Sequence, residues 1–466
     1  MNTPKLRLSF FKRVPHAITM LFGIIVLITL LTYILPAGTY ERVLVDGRNT
    51  VVPNSYKIIP STPIGFLDMF KAIPLGFKAA SEIIFIVLAG GIMFGFMEKS
   101  KAVENAVGTL VKRLGLKNKY LIIVIMTFIY GFLGIAVGYE NNIAMVPIAA
   151  VLSLALGGDL ILAAGISVGA MTIGFGLSPI NPYTVGTGHR IAELPMFSGA
   201  LLRSILCFTA LSIMAYYNVR YFKKIAAQPN KSLGLGLDVT ELTLSKPIQE
   251  YRLNSKNWMI ISIFILGLLT ILYGVFNLHW YINDLSAIFL IIAFLSGLVS
   301  RMDATTMSET LLKAVSVTAP GAFMVGFATS IKVLMEMGNI SDTISYQLSV
   351  FLQDLPLYAS AICMSISQTA INFFIPSGSG QALATLPVML PLGESLGLTR
   401  QITILAFQIG DGLSNLINPT LGGLVAMLSM CRVPIDRWIR FIFPVLISLL
   451  LIAFLTLIIA VAINYN

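Results

Sequence analysis

Two carboxylates stand where the surrounding sequence is apolar, and chemistry is most directly expected from them. Glu140 lies in the apolar stretch 120–157, and Asp411 lies in the stretch 401–430. An ionisable group at membrane depth is costly and usually functional. Either carboxylate can bind a cation, a proton or the amino group of a substrate. Asp411 has an alternative role as the buried structural partner of Lys332, although Lys332 is also spaced for an i,i+4 pair with Glu336.

Small hydrogen-bonding side chains accompany both carboxylates and form two similar sets, one in each half of the chain. Such groups let a charged solute bind without a permanent ion pair that would retain it. The predicted substrate-binding residues are Glu140, Asn141, Asn142, Ser178, Asn181 and Thr184 in the first half, and Ser377, Ser379, Gln381, Asp411, Asn415, Asn418 and Thr420 in the second. Alternatively, the serine and asparagine side chains only cap the ends of helices.

Both sets coincide with places where glycine, proline and amide residues interrupt the apolar pattern. The interruptions are 138–142 and 177–182 in the first half, and 376–381 and 413–419 in the second. Non-helical backbone inside a membrane is tolerated only against protein or a water-filled cavity, and helix ends there bind carboxylates and cations. Paired interruptions in two halves are typical of a transporter site. We therefore expect one cavity, with a sodium ion near Asn142, Asn181, Asp411 and Asn418.

The composition identifies a membrane as the solvent of this chain. Of its 466 residues, 56% are hydrophobic and 11% are charged, whereas a soluble domain has roughly 25% charged residues. The lysines and arginines behind the net charge of +10 lie between apolar segments, which disfavours nucleic acid as a partner. The 3 cysteines and 3 histidines indicate neither disulfides nor a zinc site. We expect membrane lipid and a small-molecule substrate as partners, and no cofactor beyond a coupling sodium ion or proton.

Apolar segments of membrane length divide the chain. The predicted full crossings are 17–36, 82–98, 160–196, 199–220, 258–274, 284–300, 319–337, 401–430 and 438–461, of which 160–196 and 401–430 are broken. The stretches 120–157 and 357–396 are each predicted to be a re-entrant hairpin. With that topology most of the 31 lysines and arginines fall on one side, in the loops 1–16, 99–119, 220–257, 301–318 and 432–440. The positive-inside rule then predicts a cytoplasmic N-terminus in the inner membrane.

The second half of the chain repeats the first in the opposite orientation. Segment 97–104 is similar to segment 335–342, and Val146-Pro147 matches Leu386-Pro387. Each copy holds three crossings and a hairpin, and the two helices between the copies leave the second one starting on the opposite side. The predicted fold class is an all-α polytopic membrane protein with inverted-topology repeats, each containing a re-entrant helical hairpin and a broken transmembrane helix.

The predicted divisions follow from these segments. Residues 1–81 comprise the first transmembrane helix, an extracytoplasmic β-hairpin that turns at Asp46-Gly47, and an interfacial segment at 63–80. Repeat 1 covers 82–222, a cytoplasmic linker covers 223–257, two linking helices and a loop cover 258–318, and repeat 2 covers 319–462.

Two other classes of function have weaker support in the sequence. The segment Gly165-Ile166-Ser167-Val168-Gly169 matches the G-x-S-x-G pattern of serine hydrolases. No strand precedes this serine, and the glycines fit a small-residue packing face of an apolar helix. No nucleotide-binding G-x-x-x-x-G-K-[ST] string is present. An enzyme is therefore not expected, and a channel lined by the same interruptions is the closer alternative to a carrier.

Four strings resemble a known family of carriers along nearly the whole chain: LPAGTYERVLVDGRNTVVPNSY, FGFMEKSKAVENAV, GFGLSPINPYTVG and QIGDGLSNLINPTLGG. They are similar to the YfcC-type branch of the C4-dicarboxylate anaerobic uptake carrier C (DcuC) family, which belongs to the ion transporter superfamily. The resemblance implies a homodimer with a scaffold domain and a mobile transport domain that carries the hairpins, with elevator-type alternating access. The hairpin tips of that superfamily typically read Ser-Asn-Thr, whereas here they are Glu140-Asn141-Asn142 and Ser377-Gly378-Ser379.

The resemblance leaves two substrate classes open. Chains of this branch are described either as basic amino acid exchangers of the arginine/ornithine kind or as dicarboxylate carriers. Glu140 and Asp411 favour a solute that also carries an amino or guanidinium group, because two fixed acids repel a dicarboxylate unless sodium or protons neutralise them. We therefore expect a secondary transporter of an amino acid, with a short carboxylate coupled to sodium or protons as the alternative.

Overall fold

The computed structural model describes residues 17–45, 48–52, 54–137, 140–240, 242–278, 280, 282–352 and 355–466, most of which are helical. The first half contains α1 (Ala17–Leu31), α2 (Phe66–Ala79), α3 (Ser81–Lys99), α4 (Ala102–Leu114), α5 (Lys119–Val137), α6 (Val146–Ala155), α7 (Leu160–Ala164), α8 (Ala170–Gly176), α9 (Thr187–Ile191) and α10 (Ala200–Ala227). The second contains α11 (Ser255–Asn277), α12 (Ile282–Val299), α13 (Ala304–Met337), α14 (Ser341–Leu352), α15 (Leu357–Asn372), α16 (Gly378–Ser395), α17 (Arg400–Ser414), α18 (Gly422–Met430) and α19 (Ile435–Ala462).

Five of the described helices, namely α3, α10, α12, α13 and α19, have the length and apolar composition needed to cross a membrane. Shorter apolar helices lie within α1, α5, α6, α11 and the run from Leu160 to Gly176. This pattern makes the chain a membrane-embedded helical protein.

Two pairs of helices occupy the stretches predicted to be hairpins. In the first, a 3-10 turn at Glu140–Met145 connects α5 to α6. The hydroxyl of Tyr130 donates to the carbonyl of Met145 at 2.7 Å, and Asn142 Nδ2 donates to the carbonyl of Leu133 at 3.1 Å. In the second pair, Gln381 on α16 bonds to Gln368 on α15. Its Nε2 donates to the carbonyl and the Oε1 of Gln368, both at 2.8 Å. In each pair, side-chain bonds fix one arm against the other near the turn.

The two stretches predicted to be broken helices each consist of shorter helical segments. In the first, a π-helical turn at Gly165–Gly169 joins α7 to α8, and a second at Pro182–Gly186 leads into α9. In the second, α17 ends at Ser414 and α18 begins at Gly422. The two broken helices cross backbone against backbone: a Cβ added to Gly176 would lie 2.6 Å from the Cα of Gly412, and the converse distance is 2.5 Å. Only glycine permits this approach at either position.

A small β region caps one end of the molecule. The strands are β1 (Gly38–Thr39), β2 (Arg42–Val45), β3 (Arg48–Val51) and β4 (Lys57–Ile58), with β2 paired antiparallel to β3 and β1 to β4. The paired strands β2 and β3 lie within the stretch 40–60 that is predicted to be a hairpin, and its predicted turn at 46–47 lies outside the described residues. Arg42 Nη2 is 2.7 Å from Asp342 Oδ1, and Tyr56 stacks on Tyr346. These contacts bind the β region to α14, and β3 also packs against α16.

Two carboxylates, Asp159 and Glu104, hold the linker between α10 and α11 by hydrogen bonds. Asp159 accepts hydrogen bonds from Tyr221 Oη at 2.7 Å, Ser232 Oγ at 2.5 Å and the amide of Gly234 at 3.3 Å. It also caps α7 by accepting from the amide of Leu162 at 2.8 Å. The first part of the linker is therefore attached to the helix that leads into the first break.

Glu104 on α4 holds the second part of the linker. Its Oε1 accepts from the amide and hydroxyl of Ser245, both at 2.6 Å, and from Tyr251 Oη at 2.5 Å. Its Oε2 lies 3.1 Å from Lys101 Nζ. Burial raises the pKa of Glu104, but the hydrogen bonds from Ser245 and Tyr251 outweigh burial and lower that pKa to about 2. The carboxylate therefore stays ionised at neutral pH and retains its donors.

Three helices differ from the predicted boundaries. The helix predicted at 319–337 begins at Ala304, because Pro320 is accommodated within α13 and the polar turns before it continue the helix. The predicted loop 99–119 contains the amphipathic helix α4. The helix predicted at 199–220 continues to Ala227 as α10. In each case the structure has helical turns that contain polar residues, which a search for purely apolar segments does not detect.

Candidate functional site

Asp411 is the carboxylate around which the candidate site is built. It lies in the last turn of α17, is 1% exposed, and neither of its carboxylate oxygens has a hydrogen-bond partner among the described residues. Lys332 is not its partner, because that lysine lies 3.6 Å from Glu336 in the i,i+4 pair that its spacing indicates. A buried carboxylate without hydrogen-bond partners is energetically unfavourable. Asp411 is therefore the candidate residue for binding a ligand.

The tip of the second helix pair and the first broken helix surround this carboxylate. A Cβ built on Gly378 would lie 3.5 Å from Asp411 Oδ2, 2.6 Å from Thr184 Cγ2 and 3.9 Å from the ring of Phe175. Thr184 is also buried, and its hydroxyl oxygen has no partner among the described residues. The fold therefore brings two residues from opposite halves of the sequence, both predicted from the sequence, against one glycine. Together they offer unpaired oxygens to a cation, a proton or an ammonium group.

Amide side chains form a hydrogen-bond network across the second break. Asn372 ends α15 and donates through Nδ2 to Ser414 Oγ and Asn415 Oδ1, both at 2.7 Å, and to the carbonyl of Asp411 at 3.0 Å. Asn418 Nδ2 donates to the carbonyl of Asn372 at 2.9 Å, and Thr420 donates to Asn418 Oδ1 through its amide at 3.0 Å and its hydroxyl at 2.7 Å. Asn418 and Thr420 therefore satisfy backbone groups at the break, as the capping alternative describes, whereas Asn415 accepts from the side chain of Asn372.

The first break is held in a comparable way. Asn181 Nδ2 donates to the carbonyl of Phe175 at 3.1 Å, and its Oδ1 accepts from the amides of Tyr183 and Thr184 at 2.8 and 3.4 Å. Ser178 Oγ accepts from the amide of Ile180 at 3.2 Å. These bonds fix the break at the level of Asp411 while leaving the hydroxyl of Thr184 unpaired.

The remaining predicted residues lie at the two tips. Ser377 caps α16 by accepting from the amide of Gly380, and Ser379 is half-buried beside it. Gln381 is fully buried, and its Oε1 has no partner among the described residues. Asn142 is buried and bonded to α5 as described above. The side chains of Glu140 and Asn141 lie outside the described residues, so the predicted acidic tip is located only by its backbone.

Several site residues were missed by sequence reasoning. Asn372 and Gln368 are fully buried amides on α15, whereas the prediction was confined to the interruptions themselves. The signal that would have found them is an amide within an apolar helix just before an interruption. Asn372 bonds to residues of the second break, and Gln368 bonds to Gln381 at the second tip. Both side chains therefore fix the positions of predicted residues.

A buried arginine also connects to the first break. Arg203 on α10 is fully buried and donates through Nε to Gln408 Oε1 at 3.1 Å and through Nη2 to Gln401 Oε1 at 2.9 Å. Gln408 Nε2 in turn donates to the carbonyl of Ser178 at 2.7 Å. In the described part of the chain, the hydrogen-bond acceptors of this guanidinium are neutral oxygens. Arg203 therefore places a positive charge directly against α17, and Gln408 links this charge to the first break.

The serine of the G-x-S-x-G segment has an ordinary structural role. Ser167 is fully buried in the first π-helical turn and donates to the carbonyl of Ala163 at 2.7 Å. A Cβ on Gly165 would meet Phe441 at 2.8 Å, and one on Gly169 would meet Met214 at 3.0 Å. The two glycines therefore form the packing face predicted for them, against α19 and α10.

Two solved transporter structures share low similarity with this chain. The MtrF structure of Neisseria gonorrhoeae, described among antimetabolite efflux pumps, is 16% identical with a TM-score of 0.45 and covers 96% of this chain and 95% of its own. The YdaH transporter of Alcanivorax borkumensis is 15% identical with a TM-score of 0.46, and the match covers 97% of this chain and 99% of that one.

Sequence relatives match over nearly their full lengths. YfcC of Escherichia coli strain K12, whose name describes it as a candidate basic amino acid antiporter, is 27% identical, covering 91% of this chain and 92% of the relative. An uncharacterized protein of Haemophilus influenzae strain KW20 is 24% identical, covering 96% of this chain and 97% of the relative. The profile of the DcuC family, described as C4-dicarboxylate anaerobic carriers, matches residues 14–462. The chain is therefore a membrane transporter of the DcuC family, in the branch of YfcC.

Proposed function

We propose that this chain is a secondary active transporter that moves a small carboxylate-bearing metabolite across the inner membrane by alternating access. The observation that carries the proposal is Asp411, whose two carboxylate oxygens are buried and have no hydrogen-bond partner among the described residues. The unpaired hydroxyl of Thr184 lies beside the same glycine of the second tip. A mobile cation or the amino group of a solute would complete the bonding of both residues.

An amino acid of the arginine/ornithine kind is the solute that fits these groups best. Its ammonium or guanidinium group would pair with Asp411, and Glu140 would add a second acid from the opposite tip. Its carboxylate would bind to backbone amides at the interrupted helices, where partial positive charge is available. The name of the relative YfcC supports the same class of solute.

A C4-dicarboxylate or another short carboxylate, coupled to sodium or protons, is the alternative supported by the family description. In that case a sodium ion or a proton would neutralise Asp411 before the anion binds. The amide oxygens of Asn181 and Asn418 already accept backbone hydrogen bonds, and Asn142 donates to α5. Of the four residues predicted near sodium, Asp411 therefore has the most unused bonding capacity.

The proposed arrangement in the membrane follows the charge asymmetry of the loops. The N-terminus and the linker would face the cytoplasm, and 82–222 and 319–462 would be the inverted repeats with re-entrant hairpins. The unit that carries the tips and breaks would move against a scaffold, as in an elevator, within a homodimer.

Counterflow in proteoliposomes tests the proposal. Vesicles preloaded with unlabelled arginine should accumulate labelled arginine or ornithine faster than empty vesicles, and Asp411→Asn should abolish that acceleration. Asp436→Asn is the matched control, because Asp436 pairs with Arg440 at the start of α19 and is not among the residues of the site. A channel would carry labelled solute without acceleration by internal substrate.

The same vesicles distinguish the two substrate classes. Uptake of succinate that depends on sodium or a pH gradient, without arginine counterflow, would replace the amino acid with a dicarboxylate. Normal activity of Asp411→Asn toward every solute that the wild-type protein carries would overturn the assignment of the site.

A further inference from the structure

We propose that a second site, separate from Asp411, binds a small solute that carries both a cationic group and a carboxylate, as an α-amino acid such as arginine does. It is a cavity of ≈ 170 Å³ between α3 and α13 on one side and α6 and α18 on the other. One water molecule occupies about 30 Å³ of the liquid, so the cavity is large enough for a small organic molecule. Its residues belong to neither the predicted tips nor the predicted breaks.

One wall of the cavity is a tightly packed pair of helices. Gly91 and Gly95 on α3 and Thr318 and Ala314 on α13 all line the cavity. A Cβ on Gly95 would lie 2.8 Å from the Cβ of Ala314, and one on Gly91 would overlap the methyl group of Thr318. Because this packing leaves no space for a side chain between the two helices, they form one rigid wall.

The other wall belongs to the elements that carry the first tip and follow the second break. Pro147, which lines the cavity, lies in the first turn of α6, directly after the 3-10 turn at Glu140–Met145. A Cβ on Gly90 would lie 2.9 Å from the Cβ of Ala144, so that turn also contacts α3. Ser429 contributes the end of α18. The cavity therefore runs from the level of the first tip to the end of the molecule where the linker lies.

The linker end of the cavity carries charges of both signs. Its carboxylates are Glu98 on α3 and Glu309 on α13, and its cations are Lys99, Lys313 and Arg432. Because Glu98 and Lys313 have interactions of their own and Arg432 pairs with Asp238, the charges that would bind a solute are those of Glu309 and Lys99. Lys99, Glu309 and Lys313 are exposed, so this end is open to water. An ammonium group and a carboxylate on one solute would match both signs at once, whereas a dicarboxylate or a diamine would leave one sign unmatched.

The linker forms part of the rim at the charged end. Leu242 lines the cavity, and Arg432 Nη1 donates to the carbonyl of Thr240 at 2.7 Å and to Asp238 Oδ2 at 3.2 Å. These bonds hold the guanidinium of Arg432 at the cavity wall. The inference depends on the proposed function only for the choice of test solutes.

Protection of an introduced cysteine tests the inference. In a background with Cys207, Cys363 and Cys431 replaced by alanine, Ser429→Cys should react with a charged thiol reagent in proteoliposomes. At ten times its Kd, arginine should slow this reaction by about tenfold, because only the unoccupied fraction reacts. Succinate and putrescine should not slow it. Absence of labelling, or absence of protection by arginine, would overturn the proposal.

Three further variants separate this site from the one at Asp411. Glu309→Gln should abolish protection by arginine, whereas Glu336→Gln on the same helix, whose carboxylate pairs with Lys332 away from the cavity, should not. Protection should persist in Asp411→Asn, and its loss there would show that arginine acts from the Asp411 site and refute a second one. If the wild-type protein carries no arginine but the protection remains, the proposed function fails and the second site stands.

Discussion

Replacing Asp411 with leucine should stabilise the protein while abolishing transport. The two side chains have similar size, and the methyl group of Thr184 and the ring of Phe175 lie within 4 Å of the same point beside Gly378 as Asp411 Oδ2, so apolar groups are close to the position of the leucine. The substitution removes a buried polar group that has no partner among the described residues. The opposite effects on stability and transport are expected because the unpaired carboxylate serves the ligand rather than the fold.

The size of the stabilisation follows from the cost of burying an unpaired polar group, about 1–3 kcal/mol in proteins. A chain of this length unfolds with an entropy on the order of 1 kcal/mol per kelvin. The Tm of the ligand-free protein should therefore rise by about 1–3 °C in the Asp411→Leu variant. A ligand of Asp411 at one hundred times its Kd for that site should add about 2.7 kcal/mol to the wild type. The variant should lose this contribution and keep only the stabilisation from binding at the second site.

Thermal unfolding of purified protein, with and without solute and sodium, measures both effects. Asp159→Leu is the matched control, because Asp159 accepts hydrogen bonds from Tyr221, Ser232, Gly234 and Leu162. Loss of these charge-assisted bonds should lower the free energy of unfolding by at least about 2 kcal/mol. The two substitutions should thus shift Tm in opposite directions. If Asp411→Leu destabilises the ligand-free protein as Asp159→Leu does, Asp411 has a structural partner and the reasoning is wrong.

Three other substitutions test particular contacts. Glu104→Gln should lower the free energy of unfolding by about 1–3 kcal/mol at neutral pH. Folding lowers the pKa of Glu104 from 4.5 to about 2. The difference in free energy of unfolding between wild type and variant should therefore be fully present above pH 4.5 and shrink as pH falls toward 2. If chemical unfolding gives the same free-energy difference at pH 5 and pH 3, the hydrogen bonding described for Glu104 is wrong. Gly412→Ala should destabilise by about 1–3 kcal/mol through its backbone contact with Gly176, whereas Gly23→Ala, with nothing within 4 Å, should be neutral or stabilising by up to about 1 kcal/mol; equal Tm shifts would refute the close crossing. Ser167→Ala should leave transport unchanged and alter stability by less than about 1 kcal/mol, and loss of activity in that variant would return the hydrolase interpretation.

The positions of the breaks could be predicted from sequence because their causes are local. Glycine, proline and asparagine end helices through their own backbone geometry and side-chain reach, so 177–182 and 413–419 are recognisable without knowledge of the fold. Asp411 could be singled out for a similar reason, since a carboxylate in an apolar segment is conspicuous by itself.

The partners across the molecule could not be predicted from one sequence. Nothing near Asn372 indicates that its amide donates to Ser414 and Asn415, and nothing near Arg203 indicates that Gln408 connects it to the carbonyl of Ser178. These contacts join residues distant in sequence and depend on how helices pack. Local interpretation likewise began this helix at residue 319, where the apolar stretch starts, whereas α13 begins at Ala304 and accommodates Pro320.

The crossing of Gly176 and Gly412 has a mechanical consequence. Where two helices touch through bare backbone, neither can rotate or slide past the other without a collision of main-chain atoms. The crossing therefore fixes the position of one helix relative to the other. In the alternating access proposed above, the two broken helices would therefore move together, and with them Thr184, Asp411 and any solute bound to these residues. Motion of this helix pair relative to the rest of the protein would then occur at its other contacts, where side chains rather than backbones meet.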